Sequence, residues 1–257
     1  MLNASALQDW NLTLKNLLLP MYCRSCGNRL LTEENAFFCA DCWESSLRIE
    51  RPFCTLCGKP HQRMVGLGAL SNFPCADCRE KPNRHIRAIR GAAYYDGAVG
   101  AAIRLFKFNK KTTLKNPLAA LMQAFAEEEM DAEAYDLIVP VPLYKTRQRE
   151  RGFNQSLELA LLMQAVFPEA TIDQSLKRIR PTTAQSSLTG SERAKNVRGA
   201  FAVEGDGCKG KRVLLIDDVI TTGETVTECA KALKRAGAIF VDAFSVSLAY
   251  PTPYFNL

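Results

Sequence analysis

Residues 213–225 of this 257-residue chain read VLLIDDVITTGET and hold its most informative pattern. Four apolar residues run without alternation into Asp217 and Asp218, which is typical of a strand buried on both faces of a parallel sheet. A small polar turn follows and leads directly into a segment with helical periodicity. Because open α/β sheets bind ligands at the carboxyl ends of their strands, the sequence predicts a ligand site at the two acids.

The polar turn Thr221–Thr222–Gly223 predicts an anion site. Its hydroxyls and backbone N–H groups can donate to phosphate oxygens, and the start of the following helix favours negative charge. The nearby carboxylates can accept hydrogen bonds from vicinal hydroxyls, so a ribose 5-phosphate fits the whole pattern. Acid pairs also occur in phosphoacceptor domains, and polar turns often cap helices, but neither alternative explains all three features. The Walker pattern of nucleoside triphosphatases is absent from the sequence.

Regular segments on both sides of this motif predict an α/β fold with a parallel sheet covered by helices on both faces. Apolar residues at helical spacing predict helices over 117–130, 153–167 and 224–236. Apolar runs predict strands over 136–141, 211–218 and 239–249.

Charge and hydropathy narrow the class of protein. No run approaches the roughly 18 consecutive apolar residues of a membrane span, so none is predicted. The N-terminus lacks the basic start and cleavage site of a secretory signal, and we therefore expect a cytoplasmic protein. The net charge of +6 permits a phosphate-bearing ligand or nucleic acid, but it equally suits an ordinary basic protein.

Eight of the ten cysteines form four C-x-x-C pairs within residues 23–78. Two thiolates separated by two residues can bind one zinc ion from a single tight turn, and two such turns complete a tetrahedral site. The pattern predicts two zinc ions, and in a reducing compartment it fits metal binding better than a disulfide or redox cluster. The predicted ligands are Cys23, Cys26, Cys39, Cys42, Cys54, Cys57, Cys75 and Cys78.

The spacing favours sequential pairing, in which the first four cysteines bind one ion and the last four bind the other. A crossed pairing stays open. Gly27 and Gly58 directly follow a cysteine and suit knuckles that turn with positive φ. Because four thiolates leave zinc no open position, both ions are expected to be structural. Cys208 and Cys229 are expected to be packing thiols, and His61 a bystander.

A change of composition near residue 85 divides the chain. Knuckles and turns precede it, periodic segments follow it, and Pro82 and Asn83 favour a turn at the junction. We predict an N-terminal helical segment over 1–20, a zinc module over 21–82 and an α/β domain over 86–257. This division predicts that the last two parts unfold separately.

The motif over 213–225 resembles the phosphoribosyl pyrophosphate motif of the type I phosphoribosyltransferases. By position, the resemblance implies that Asp217 and Asp218 form the catalytic pair and hold the ribose 2′- and 3′-hydroxyls. Many members of that superfamily have Glu-Asp at these positions, which keeps the charge. Mg²⁺ would be shared among the pyrophosphate, the ribose hydroxyls and water. The residues implied to bind the 5′-phosphate are Thr221, Thr222, Gly223, Glu224 and Thr225.

Residues 94–108, 139–156 and 191–201 resemble the ComF family (competence protein F, amidophosphoribosyltransferase-like) more narrowly. With the cysteine pairs in front, the resemblance implies a double zinc ribbon over 21–82 followed by a type I phosphoribosyltransferase domain over 86–257. By position it implies a pyrophosphate loop at 141–144, with Lys145 just beyond it, and a mobile basic loop at 177–198. The loop residues implied to bind the substrate are Arg193, Lys195 and Arg198. For any one of these cations, the alternative is an exposed surface charge.

The resemblance implies a phosphoribosyltransferase that uses phosphoribosyl pyrophosphate and Mg²⁺ in nucleotide metabolism or DNA uptake. The sequence does not identify the acceptor. The alternative is a non-catalytic competence factor that senses phosphoribosyl pyrophosphate or binds single-stranded DNA or competence proteins. Basic loops and zinc ribbons suit this alternative, but the sequence shows no evident cluster of aromatic residues on which bases could stack.

Overall fold

The computed structural model describes residues 20–30, 37–61, 71–181 and 196–250. Apart from Pro20, the predicted N-terminal helical segment lies outside these ranges, and so do Arg193 and Lys195 of the predicted basic loop. Within the described residues, no helix has the length and apolar character needed to cross a membrane.

Short elements form the cysteine-rich part of the chain. Strands β1 (Met21–Tyr22) and β2 (Arg29–Leu30) pair in an antiparallel hairpin around the first C-x-x-C turn. Helices α1 (Ala40–Glu44) and α2 (Ala76–Glu80) each begin directly after a cysteine. These elements bury few apolar side chains of their own, which is usual for small metal-stabilised modules.

Strands alternate with helices in the remainder of the chain. The order of elements is β3 (Ile89–Tyr94), α3 (Gly97–Phe108), α4 (Lys115–Glu129), β4 (Leu137–Pro140), α5 (Lys145–Arg151), α6 (Gln155–Met163), β5 (Thr171–Ile172), β6 (Leu176–Arg178), β7 (Phe201–Val203), β8 (Arg212–Ile220), α7 (Glu224–Arg235) and β9 (Phe240–Leu248). A short 3₁₀ turn precedes α4, and β6 and β7 form a separate antiparallel ribbon.

Five strands form one parallel sheet in the order β3-β9-β8-β4-β5. The apolar run of β8 explains its central position, because Val213, Leu214, Leu215 and Ile216 are all fully buried. The chain leaves β8 toward β9 and leaves β4 toward β5, so the two connections diverge. Such a point opens a crevice at the carboxyl ends of the two strands, where α/β folds bind ligands.

Helices cover both faces of the sheet. Helices α4 and α6 pack against each other and against the sheet. The crossover through α7 runs in the opposite direction, so a right-handed connection places α7 on the other face. The predicted α/β class, with a zinc-ribbon module preceding a helix-covered parallel sheet, is confirmed.

Sequence patterns had not indicated β3, α3 or α5. Strand β3 reads IRGAAY, in which small residues replace the expected apolar alternation. Helix α3 carries two glycines, and α5 reads KTRQRER, which has no apolar face. The strand at the motif, β8, extends past its predicted end at Asp218 to Ile220. The two acids therefore lie shortly before the end of the strand.

One hydrophobic core continues across the predicted boundary near residue 85. Phe53 of the zinc module is buried and lies 5.9 Å from the Phe125 ring of α4, which lies 5.7 Å from the Phe244 ring of β9. The backbone also crosses the boundary, since Ile49 N–H donates to Ala92 O at 3.0 Å. The zinc module is therefore packed against the edge strand β3 and against helix α4.

Candidate functional site

Asp217 and Asp218 lie near the end of β8 and have different partners. The Ser156 hydroxyl, at the start of α6, donates to Asp217 Oδ1 at 3.0 Å. The Lys107 ammonium, in the last turn of α3, lies 2.7 Å from Asp218 Oδ1, and both of these side chains are largely buried. Residues from three separate elements thus meet at the predicted acid pair.

The two carboxyl groups also affect each other. Burial and the neighbouring Asp218 carboxylate raise the pKa of Asp217 to about 7, although Lys107 and Ser156 act in the opposite direction. A carboxyl group with such a pKa changes its charge within the physiological range, which is common at functional sites.

The turn after β8 leads directly into a helix, as the sequence predicts. Gly223 adopts a left-handed conformation with φ of 78°, and its carbonyl accepts the first hydrogen bond of α7, from Thr227 N–H at 2.9 Å. Residues 221–225 line one small hollow of about 30 Å³ together with Asp217. The structure therefore brings all five predicted phosphate-turn residues together, beside the acid pair and at a helix N-terminus.

A cleft of about 660 Å³ opens beside the acid pair, and Asp217, Asp218, Thr221 and Thr225 line it. Val141–Leu143, which follow β4 where the resemblance implies a pyrophosphate loop, line it as well. Its cationic lining residues are Lys107, Lys110, Arg147, Arg151 and Arg178. Among the residues that the structure describes, three carboxylates line it, namely Glu150 and the pair, so five cations against three anions favour a negatively charged ligand.

The predicted basic residues within the described ranges are not the ones that line the cleft. Lys145 is exposed at the first position of α5 and is not part of the cleft lining, whereas Arg147 and Arg151, four residues apart on one helix face, are. Arg198 is exposed, lies outside the cleft lining, and its carbonyl accepts a hydrogen bond from the Arg180 guanidinium.

Sequence reasoning did not assign Lys107 or Ser156 to the site. Both lie in stretches that resemble the ComF family, but their contacts with the acids join residues far apart in the chain. Lys107 and Asp218 are 111 positions apart, and Ser156 and Asp217 are 61 positions apart. Only the fold reveals such contacts.

Ile89 of β3 separates the phosphate turn from the second pair of knuckles. Its N–H donates to Leu56 O at 2.8 Å, and a Cβ atom added to Gly58 would lie 2.6 Å from its carbonyl oxygen. On its other side, a Cβ atom added to Gly223 would lie 3.6 Å from Ile89 Cδ1. Ile89 therefore contacts the zinc module through its backbone, while its side chain lies beside the phosphate turn.

The eight predicted ligands form two clusters in the sequential pairing. Cys23, Cys26, Cys39 and Cys42 have their sulfurs within 4.8 Å of one another, and so do Cys54, Cys57, Cys75 and Cys78. Four thiolates at such distances fit a tetrahedral zinc ion. The crossed pairing is excluded, and Gly27 and Gly58 have the predicted positive φ, 78° and 74°.

Backbone N–H groups lower the pKa of the first cysteine in each cluster. Burial opposes ionisation of Cys23, but the N–H groups of Cys26, Cys39 and Ser25 lower its pKa to about 6. Cys54 has the same arrangement, and its pKa is lowered to about 7. Because zinc binds the thiolate, these hydrogen bonds favour metal binding.

Purified protein is expected to contain two zinc ions per chain, because each cluster supplies a complete set of four ligands. Elemental analysis after dialysis measures this content. His61→Ala is the control and should keep both ions, since His61 stacks on Phe73 and lies outside the clusters. Fewer than one ion per chain, or disulfides between these cysteines in native material, would contradict the assignment.

Comparison with known proteins agrees with this organisation. The double zinc ribbon domain model matches residues 14–79. The DNA utilization protein YhgH of Escherichia coli K12 is 30% identical over 209 residues, which cover 80% of this chain and 88% of that protein. Competence protein F of Haemophilus influenzae is 28% identical over 88% of this chain and 96% of that protein.

Among solved structures, the glutamine phosphoribosylpyrophosphate amidotransferase of B. subtilis matches with a TM-score of 0.38 and 19% identity. The match covers 55% of this chain and 30% of that chain.

Proposed function

Because the chain belongs to the competence protein F family, which joins a double zinc ribbon to a phosphoribosyltransferase-type fold, we propose that it binds phosphoribosyl pyrophosphate with Mg²⁺ at the cleft. The observation that carries the proposal is the acid pair beside the phosphate turn at the carboxyl end of β8. In the proposed complex the turn holds the 5′-phosphate, and Asp217 and Asp218 accept hydrogen bonds from the ribose hydroxyls. The two relatives' names support a role in DNA utilization or competence.

The proposed reaction is transfer of the phosphoribosyl group. The bond from the ribose C1 to pyrophosphate breaks, a bond from C1 to an acceptor nitrogen forms, and the proton of the acceptor leaves with the pyrophosphate. The cations of the cleft wall are suited to stabilise the charge that develops on pyrophosphate. Mg²⁺ would bind the pyrophosphate and ribose oxygens, and the predicted basic loop over 177–198, with Arg193, Lys195 and Arg198, is proposed to add further cations.

Isothermal calorimetry tests binding. Phosphoribosyl pyrophosphate with Mg²⁺ is expected to bind, and ribose 5-phosphate should compete with it through the same turn. No affinity for either ligand at millimolar concentration would contradict the proposal. Release of pyrophosphate in a screen of bases and amines would support transfer, whereas salt-sensitive binding of single-stranded DNA without release would support the non-catalytic alternative.

Binding of phosphoribosyl pyrophosphate is expected to weaken as the pH falls from 8 to 6. A pKa of about 7 means that Asp217 is mostly ionised at pH 8 and mostly protonated at pH 6, and a protonated carboxyl is a poorer acceptor for the ribose hydroxyl. The change in ionised fraction predicts a decrease in affinity of up to about tenfold. In Asp217→Asn only the pH dependence of the ligand's own phosphates should remain, and an equal dependence in both proteins would contradict the assignment.

A further inference from the structure

Phe108, the last residue of α3, places an exposed aromatic ring on the wall of the cleft. Its side chain is 70% exposed, and it lines the cleft together with Tyr95. A single exposed apolar residue on a convex surface needs no explanation. In a cleft that also holds an acid pair and five cations, an exposed ring is positioned to contact the ligand.

A guanidinium group adds to the stacking capacity of this ring. Arg151 Cζ lies 5.4 Å from the centroid of the Phe108 ring, within the range of a cation–π contact. An aromatic ring beside an arginine is a combination that proteins use to stack nucleic-acid bases.

Gln155 supplies an independent observation in the same cleft. The residue is 1% exposed, and its side-chain amide nitrogen has no hydrogen-bond partner within the part of the chain that the structure describes. Gln155 lines the cleft at the start of α6, next to Ser156, which contacts Asp217. A buried donor without a partner is costly, and a ligand with an acceptor atom on its edge would satisfy it.

We propose that Phe108 and Gln155 form a subsite for a planar heteroaromatic base, so that the cleft accommodates a whole nucleoside 5′-monophosphate. The inference rests on the proposed function, since the phosphate turn and the acid pair would hold the rest of the nucleotide. The base subsite adjoins the ribose position because Lys107, the neighbour of Phe108, contacts Asp218. Phe108 stacks on the base, and the Gln155 amide donates to a ring nitrogen or carbonyl oxygen on its edge.

Calorimetry with ribose 5-phosphate and with the 5′-monophosphates of adenosine, guanosine, cytidine and uridine tests this subsite. At least one nucleotide is expected to bind at least about fivefold more tightly than ribose 5-phosphate, because stacking of one base contributes about 1 kcal/mol or more. Phe108→Ala should bring this ratio of affinities close to one, and Gln155→Leu should lower it.

Two further variants separate stacking from a general loss of structure. Phe108→Tyr keeps the ring and should keep the ratio. Leu161→Ala removes an apolar side chain of similar exposure, 50%, that lies on α6 outside the cleft, and it should leave the ratio unchanged.

The possible outcomes distinguish this inference from the proposed function. If ribose 5-phosphate binds and none of the nucleotides binds more tightly, the base subsite is refuted and the phosphate-and-ribose site stands. If neither ribose 5-phosphate nor phosphoribosyl pyrophosphate binds, the proposed function itself is refuted. A nucleotide preference that survives both Phe108→Ala and Gln155→Leu would place the base elsewhere and overturn the inference. Dependence of oligonucleotide binding alone on Phe108 would overturn it as well.

Discussion

Replacing Asp217 and Asp218 together by asparagine is expected to weaken binding of phosphoribosyl pyrophosphate at least tenfold. Each carboxylate is proposed to accept a charge-assisted hydrogen bond from a ribose hydroxyl, and such bonds contribute about 1.5–3 kcal/mol each. Calorimetry in the presence of Mg²⁺ measures the loss directly. Ribose 5-phosphate should lose affinity as well, because it presents the same hydroxyls.

The fold is expected to survive the change. Because the pKa of Asp217 is raised in the folded protein, ionisation of this carboxyl destabilises the fold as the pH rises from about 4 to above 7. A neutral asparagine at this position removes that cost. Loss of the Lys107 contact with Asp218 acts in the opposite direction. Glu127→Gln with Glu128→Gln, two exposed residues of α4, changes the net charge equally and serves as the control. If the acid-pair variant folds, as judged by circular dichroism, and binds like the wild type, the ribose site is misplaced.

Cys54→Ser is expected to lower the melting temperature of the whole chain by about 10 °C or more. A structural zinc ion contributes about 10–16 kcal/mol in isolated fingers, and loss of about a third of this value corresponds to a shift of that size for a domain of 150–250 residues. Because Phe53, next to Cys54, packs against α4, the loss of the zinc site reaches the sheet. Differential scanning calorimetry measures the shift.

The number of transitions in the same experiment tests the predicted boundary near residue 85. The division by composition predicts that residues 86–257 melt separately, whereas the contacts across the boundary favour a single transition. His61→Ala is the matched control beside the same zinc site, and we expect it to melt close to the wild type. Two separated transitions in Cys54→Ser, with the upper one at the wild-type temperature, would support two independent units and contradict a shared core.

Segments whose function lies in consecutive residues could be predicted from the sequence. The four C-x-x-C pairs gave the two zinc clusters, and the motif around Asp217 gave a central strand, a turn and a helix in the right order. In both cases a few neighbouring residues determine the local geometry, since a knuckle or a phosphate turn needs no distant partner.

Contacts between distant residues could not be predicted in this way. Lys107 and Ser156 reach the acid pair because α3 and α6 end and begin at the same edge of the sheet, which depends on the strand order. The burial of Gln155 and the exposure of Phe108 likewise depend on packing, because periodicity alone would assign the polar residue to the surface and the apolar one to the core. That Arg147 and Arg151 line the cleft and Lys145 does not follows from the orientation of α5, a helix whose sequence lacks an apolar face.

The position of Ile89 between the Gly58 knuckle and Gly223 has a thermodynamic consequence. If loss of zinc lets β3 shift at Ile89, the phosphate turn loses its support, so metal occupancy and ligand affinity become linked although the two sites share no ligand atom. Linkage of this kind is reciprocal. The factor by which bound zinc raises the affinity for nucleotide equals the factor by which bound nucleotide raises the affinity for zinc. At equilibrium with a chelator, ligand-saturated protein should therefore retain more zinc in the second cluster than free protein does.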